Sequence, residues 1–254
     1  MTALLSVTGL VKRFGGLIAT NGLNLDVRSG ELHALIGPNG AGKTTIMSQL
    51  TGELRPDAGK IAFDGRDITH WPIPRRALGG MARSYQITQL LKDFSVLENV
   101  MLMVQARQGH SFRCWRPALC ERALVQPAMQ ALESVGLAQR AQDDVMALAH
   151  GEHRQLELAM ALAMSPRLLL LDEPLAGMSQ AESSTMVTLL GQLKRRYTIL
   201  LVEHDMQAVF ALADQVSVLV YGKAIATGTP AHVQRNPEVR RAYLGDDEPL
   251  RSAA

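Results

Sequence analysis

The sequence predicts an α/β protein: a core with a mostly parallel sheet, an N-terminal antiparallel β subdomain and an inserted α-helical subdomain. Three observations carry that expectation. Short apolar runs broken by Gly-Gly and Ser-Gly open the chain, buried-type strands alternate with helical stretches further on, and a glycine-rich loop joins the first such strand to the first such helix. With 254 residues, 47% hydrophobic and 20% charged, the chain can bury one large core and is not a disordered polymer.

The elements follow in order. Leu4 to Val7 and Leu23 to Val27, punctuated by Gly15-Gly16 and Ser29-Gly30, predict short strands joined by tight turns. Leu32 to Ile36 is an apolar run, with His33 inside it, that stops at Gly37-Pro38-Asn39-Gly40, and the pattern turns helical from Lys43 to Leu50. Ile61 to Phe63 and Ala82 to Gln86 read as further strands. From about Ile87 to Ser165 helix formers dominate: Val96 to Ala106, Glu121 to Val135 and Glu152 to Met164 suit amphipathic helices, with a loop at Gly109 to Pro117. Residues 87–165 are therefore expected to be the helical insertion, residues 1–86 and 166–254 the core with its β subdomain, and 1–254 a single domain. Leu168 to Asp172 and Thr198 to Val202 read as buried parallel strands flanking a helix near Ala181 to Arg196. Val216 to Val220, Ala224 to Thr227 and helical pieces at Pro230 to Arg235 and Pro237 to Leu244 close the chain.

Composition excludes several classes. Lys+Arg number 26 against 24 Asp+Glu, a net charge of +2, which argues against a broad basic surface for nucleic acid. The run Lys194-Arg195-Arg196 reads as a solvated helix end. No stretch approaches the ~20 apolar residues of a membrane-spanning helix, and Met1 to Ser6 has no basic region before a long apolar run, so a cytosolic chain is expected. Cys114 and Cys120 suit neither a disulfide framework nor a zinc site and read as reduced structural thiols.

The chemistry is concentrated in three places. Gly37-Pro38-Asn39-Gly40-Ala41-Gly42-Lys43-Thr44 matches G-x-x-x-x-G-K-[ST] between a strand and a helix. Glycines let successive N–H groups turn inward, the helix adds its positive end, Lys43 reaches the β and γ phosphates, and Thr44 offers its hydroxyl to Mg²⁺. Asp172 stands at the carboxyl end of a leucine-rich strand, where it is placed to hold Mg²⁺ through its water shell. Glu173 next to it is placed to orient or deprotonate a water attacking the γ phosphate, a pairing that indicates hydrolysis. Leu200 to Asp205 repeats the strand-end geometry and presents His204 as a donor near a γ phosphate.

Taken together these residues resemble the ATP-binding subunit of an ABC transporter, over nearly the whole chain, and the fold implied is a P-loop ATPase core with the subdomains described. The resemblance implies that Gly37 to Thr45 (Pro38, Asn39, Gly40, Ala41, Gly42, Lys43, Thr44 and Thr45 with Gly37) cradle ATP, that Asp172 belongs to the second nucleotide motif, that Glu173 is the catalytic glutamate and His204 the switch histidine. It places Gln86 where the family has a glutamine that touches Mg²⁺ or the attacking water, and Phe14 where an aromatic ring stacks on adenine. The family's signature, L-S-x-G-E-Q-R, corresponds to Leu148-Ala149-His150-Gly151-Glu152-His153-Arg154, so Ala149, Gly151 and Glu152 would meet an ATP held by a second subunit. Ala149 stands in place of the serine and His153 in place of the glutamine. A hydrogen bond to a charged group is worth ~1.5–3 kcal/mol, so losing that hydroxyl is expected to weaken ATP-driven closure at this half-site roughly ten- to a hundredfold.

Within the family the resemblance runs to the ATPases of branched-chain amino-acid importers, through Phe14-Gly15-Gly16, Val96 to Val100, Ala176 to Ser179, Val202 to Met206 and Ala242 to Gly245. It implies ATP and Mg²⁺ as cofactors and the cytoplasmic face of the inner membrane as the place of work. The partners implied are membrane-spanning permease subunits, a second ATPase subunit that is homologous or identical, and indirectly a periplasmic substrate-binding protein, with no nucleic acid. Urea or short-chain amide importers share most of these features and lipopolysaccharide-export ATPases several. A non-transport ABC ATPase or a P-loop kinase is the more distant alternative.

Overall fold

The computed structural model describes residues 3–84, 90–109 and 117–241. In chain order the first elements are β1 (Ala3–Phe14), β2 (Leu17–Arg28), β3 (Leu32–Ile36), α1 (Lys43–Thr51), β4 (Ala58–Phe63), β5 (Arg66–Asp67), α2 (Ile73–Leu78) and β6 (Met81–Ser84). Then come α3 (Val96–Gln108), α4 (Arg122–Ser134), α5 (His150–Ala163), β7 (Leu168–Asp172) and α6 (Gln180–Leu193). The last are β8 (Thr198–Val202), α7 (Met206–Leu212), β9 (Gln215–Val220), β10 (Lys223–Gly228), α8 (Pro230–Arg235) and α9 (Pro237–Val239). The chain packs as two units, one running to Pro72 and resuming at Thr198, the other Ile73–Tyr197.

In the first unit β1 and β2 form a long antiparallel hairpin that turns at Gly15-Gly16, with β4 on the other edge of β1 and β5 beyond it. The strands run twelve residues each, where short strands were expected. The reason is a pairing irregularity between Val7 and Leu10, where the Gly9 N–H is bonded by the Asn24 side chain at 2.9 Å. That extra residue switches the face on which apolar side chains fall and splits one strand into two apparent runs. Leu5, Val7, Leu10, Leu23, Leu25 and Val27 are buried on the core side of this sheet.

The same unit contains the strand order β10-β9-β3-β8. β3 pairs in parallel with both β8 and β9, and every residue of β3 and β8 is buried, which is why both read as near-continuous apolar runs, His33 and Thr198 apart. Ala34 and Ile36 of β3 and Val216 and Val218 of β9 pack with Val209 of α7, Val233 and Val239.

The second unit holds the three long helices expected between residues 87 and 165, together with α2, the parallel pair β6–β7, and α6. α3 starts on a complete capping box, with Ser95 and Glu98 each bonding the other's backbone N–H. α6 stops at Leu193, so Arg195 and Arg196 lie exposed past its end as a solvated basic run. Cys120 is exposed at the end of a 3₁₀ turn, so it is not a core thiol, and Cys114 lies outside the described residues. Among the described residues no helix is long and apolar enough to cross a membrane.

Candidate functional site

The phosphate loop belongs to the first unit. It leaves the buried strand β3 at Gly37 and enters α1 at Lys43. Packing enforces its glycines. A Cβ on Gly37 would stand 2.2 Å from the Leu219 carbonyl oxygen, and one on Gly42 would stand 2.2 Å from that of Ala19. Gly42 also has φ +104°, which side-chain-bearing residues rarely adopt. It caps α1 without a side-chain bond, and α1 carries no acidic residue in its first turn, so the positive helix end is unneutralised from within. Lys43 is buried, and its Nζ donates to the carbonyls of Gly37 at 2.7 Å and Pro38 at 3.1 Å, underneath the loop. Asn39, Gly40 and Thr44 are exposed, Pro38, Gly42 and Thr45 half-buried, and Ala41 buried. Ala41 is tied to the β9–β10 turn, its carbonyl accepting from the Gly222 N–H at 2.9 Å. An exposed loop that leads into a helix start with neither a side-chain cap nor an acidic residue fits a polyphosphate.

Phe14 closes β1 at the hairpin tip with about half its surface, 48%, exposed. An ordinary core phenylalanine would be covered. Its ring lies 5.7 Å from Lys12 Nζ, which is itself held by Asp57 at 2.8 Å.

His204 is exposed just beyond β8. Glu203 before it is buried, and its carboxylate accepts the His204 backbone N–H at 2.9 Å. Asp205 accepts from the N–H groups of Gln207 and Ala208 and so caps α7. The histidine is thus fixed between a buried carboxylate and a capped helix.

In the second unit β7 ends on Asp172, whose side chain is 1% exposed. Arg83, on the neighbouring strand β6, donates from Nη2 to Asp172 Oδ2 at 2.8 Å. The other oxygen, Oδ1, is buried with no hydrogen-bond partner among the described residues. Asp172 borders a cavity with room for about one water, which Ser84, Arg154 and Glu157 also line. A buried, unpartnered carboxylate oxygen fits a residue kept for a hydrated divalent cation. Among the described residues no cluster of three His, Cys, Asp or Glu forms a protein-only metal cage. Glu173 follows at φ +51°, uncommon for a residue with a side chain and worth of order 1–3 kcal/mol in strain. Such strain marks a residue whose direction matters. Gln86 lies outside the described residues.

The signature-like segment leads into α5, which begins at His150, two residues earlier than the expected Glu152. Gly151 therefore sits in the first helical turn. Ala149 is the N-cap, and its methyl accepts nothing, so only half of a capping box survives: Glu152 Oε2 accepts the Ala149 N–H at 2.8 Å. Glu152 Oε1 is bonded by Arg140 Nη1 at 2.9 Å, and Arg140 also bonds Asp143 and the Ala147 carbonyl. His153, in the glutamine's place, has its Nε2 2.8 Å from the Val145 carbonyl. The Gly151 N–H is taken by Glu182 Oε1 at 3.0 Å.

A family model described as ABC transporter matches residues 20–176, and one described as branched-chain amino acid ATP-binding cassette transporter matches residues 225–249. The chain belongs to the ABC transporter ATP-binding family. This ABC ATPase is 38% identical over 250 residues to the high-affinity branched-chain amino acid transport ATP-binding protein BraF of Pseudomonas aeruginosa, covering 96% of this chain and 98% of the relative. It is 38% identical over 255 residues to the corresponding LivG protein of Escherichia coli K12, with 96% and 98% covered. A solved ATP-binding cassette of an ABC transporter in its ADP conformation superposes with a TM-score of 0.85 at 29% identity, over 97% of this chain and all of that one. A nucleotide-free cassette gives 0.84 at 28% identity, over 96% of this chain and again all of the other.

Four side chains around the ABC motifs were missed in the sequence: Arg83 on Asp172, Glu203 on His204, Arg140 on Glu152 and Glu182 on Gly151. Only one had a local signal. Ser179-x-x-Glu182 is the capping-box spacing, and the structure shows that box complete at α6.

Proposed function

We propose that this ABC ATPase is the ATP-hydrolysing subunit of an importer of branched-chain or related amino acids, working at the cytoplasmic face of the inner membrane. The observation that carries the reading is the match of residues 225–249 to a model of branched-chain amino acid cassettes, alongside relatives so named over almost the whole chain. In this reading Lys43 leaves the Gly37 and Pro38 carbonyls for the β and γ phosphates, while the loop N–H groups from Gly37 to Thr45 hold the rest. Phe14, half-exposed at its hairpin tip, offers a face for adenine. Thr44 and Asp172, with Gln86, are the residues that would hold Mg²⁺, whose positive charge neutralises the phosphates when bound. Glu173 orients and deprotonates the attacking water, and His204 donates to the γ-phosphate oxygens.

A second ATPase subunit, identical or homologous, faces Ala149, Gly151 and Glu152 across its own nucleotide. Permease subunits dock around residues 86–98, within which Leu91 and Phe94 are exposed at 44% and 39%. Asn99 keeps that stretch in shape, bonding both the N–H and the carbonyl of Leu91. A periplasmic receptor supplies the amino acid to the permeases and does not touch this chain.

Glu173→Gln tests the enzymatic part: hydrolysis should fall at least about a hundredfold, the scale of a lost general base, while ATP binding persists and an ATP-bound dimer accumulates. Hydrolysis at the parental rate would remove Glu173 from the mechanism. ATP-dependent uptake of labelled leucine, isoleucine or valine by the reconstituted transporter tests the substrate class, and uptake of none of them overturns it.

A further inference from the structure

The first turn of α5 is capped by a residue from another helix. Ala149 has no side-chain acceptor for the N–H groups behind it, and an uncapped helix start leaves donors unsatisfied. Glu182, in the first turn of α6, fills that role: Oε1 accepts the Gly151 N–H at 3.0 Å, while Oε2 accepts the Ser179 N–H at 2.9 Å and hydroxyl at 2.7 Å. The carboxylate is pressed against the turn, since a Cβ added to Gly151 would lie 2.9 Å from Oε1. An anion thus already occupies an N–H of the segment that the proposed function sets against the neighbouring subunit's ATP.

We propose that Glu182 is an internal stand-in for phosphate at Gly151, and that it sets the ATP concentration at which this signature segment engages nucleotide. The inference rests on the reading above in which Gly151 meets ATP in a two-subunit sandwich. A serine cap shares its site with phosphate, because a hydroxyl donates as well as accepts; a carboxylate only accepts, and repels the incoming charge. ATP therefore has to displace Glu182 from Gly151 before the site closes. Once free of Gly151, Glu182 still has the Ser179 N–H and hydroxyl, so the movement leaves α6 capped.

The test is the ATPase kinetics of the assembled transporter, purified through a tag on this chain, with Glu182→Gln. Glutamine has one acceptor oxygen, enough for the Ser179 N–H or for Gly151 but not for both, so the charge-assisted bond at Gly151 becomes a neutral one or is lost. KM for ATP should fall about three- to tenfold, the ratio between those two classes of bond, with kcat retained. A cap with no role in engagement would lower thermal stability and leave KM where it is. Should the glutamine variant fold poorly, Glu182→Asp, one methylene shorter, keeps the charge and the α6 cap but withdraws from Gly151, and the same fall in KM is expected. An unchanged or raised KM in an active complex overturns the inference alone. A wild-type complex that shows no ATPase activity overturns the sandwich reading and the inference with it.

Discussion

Arg83 and Asp172 are the most consequential ion pair in the second unit, and removing the arginine tests why. Arg83→Met preserves much of the side chain's length and removes the guanidinium, leaving a carboxylate that is 1% exposed with Oδ2 deprived of its donor and Oδ1 unpartnered as before. Breaking one side of a buried pair costs about 3–5 kcal/mol, because the remaining charge is stranded in low dielectric. Against a domain stability of ~5–15 kcal/mol that is about a fifth of the total or more. At a urea slope of ~3 kcal/mol/M, the unfolding midpoint should drop by about 1 M or more. Urea titration followed by circular dichroism near neutral pH gives the number directly. The pair's own share is isolated by adding Asp172→Leu: the double variant should recover most of the loss, since an apolar replacement of both partners strands no charge. A single variant that loses less than about 1 kcal/mol would show that the Asp172 carboxylate is adequately solvated without Arg83, and the case for Oδ1 as a reserved cation ligand would go with it.

Gly42→Ala places a Cβ against the Ala19 carbonyl at a φ of +104°, so binding of a fluorescent ATP analogue should weaken at least a hundredfold, worth ~2.7 kcal/mol, while far-ultraviolet dichroism stays near that of the parent. Ala149→Ser supplies the missing N-cap acceptor to α5 and should stabilise the isolated chain by about 1 kcal/mol in thermal unfolding, with faster hydrolysis in the complex; no change in either would mean that Glu182 satisfies the helix start completely. The Glu182 carboxyl is held below its ordinary value of 4.5 chiefly by the Ser179 hydroxyl, then by the Ser179 and Gly151 N–H groups. A lowered carboxyl contributes stability that is present above the unfolded value and lost as pH falls through the folded one. The Gly151 amide resonance should therefore shift on acidification with its midpoint below 4.5; a midpoint at or above that value would mean the bond to Glu182 is not held in solution.

Much of the fold was legible because the phosphate loop and the buried strands leave few choices. β3, β7 and β8 occupy the residues expected of them, since four apolar residues out of five, ending at a loop or an acid, fit little else than a covered parallel strand. The hairpin was underestimated because its irregular register hides a long strand from any test of strict alternation. α7 is seven residues long and gives too short a window for helical periodicity, and α9 reaches only Val239 among the described residues. α2 inverts the usual pattern: Ile73 and Leu78 are exposed at 41% and 62%, while Arg76 is 3% exposed and burial pushes its guanidinium down to about 10. No rule that places apolar residues inside finds such a helix.

The site divides along a related line. The motif positions Lys43, Asp172, Glu173 and His204 were legible because a nucleotide's requirements impose a spacing along the chain. The residues that hold them answer to the fold. Arg83 lies 89 positions from Asp172, and Glu182 lies 31 from Gly151, so no short pattern joins either pair. Their chemistry is nonetheless constrained. A buried carboxylate needs a cation or a donor, and a helix start without a hydroxyl needs an acceptor from elsewhere. The departure at Ala149 was therefore a signal about a residue other than itself: once the serine is gone, some acceptor must arrive at Gly151, and in this chain it arrives charged. In the proposed two-subunit sandwich, the residue that offers ATP no hydroxyl also leaves Gly151 to a competitor for it. Position 149 taken alone describes half of the change in the signature segment, and Glu182 is the other half.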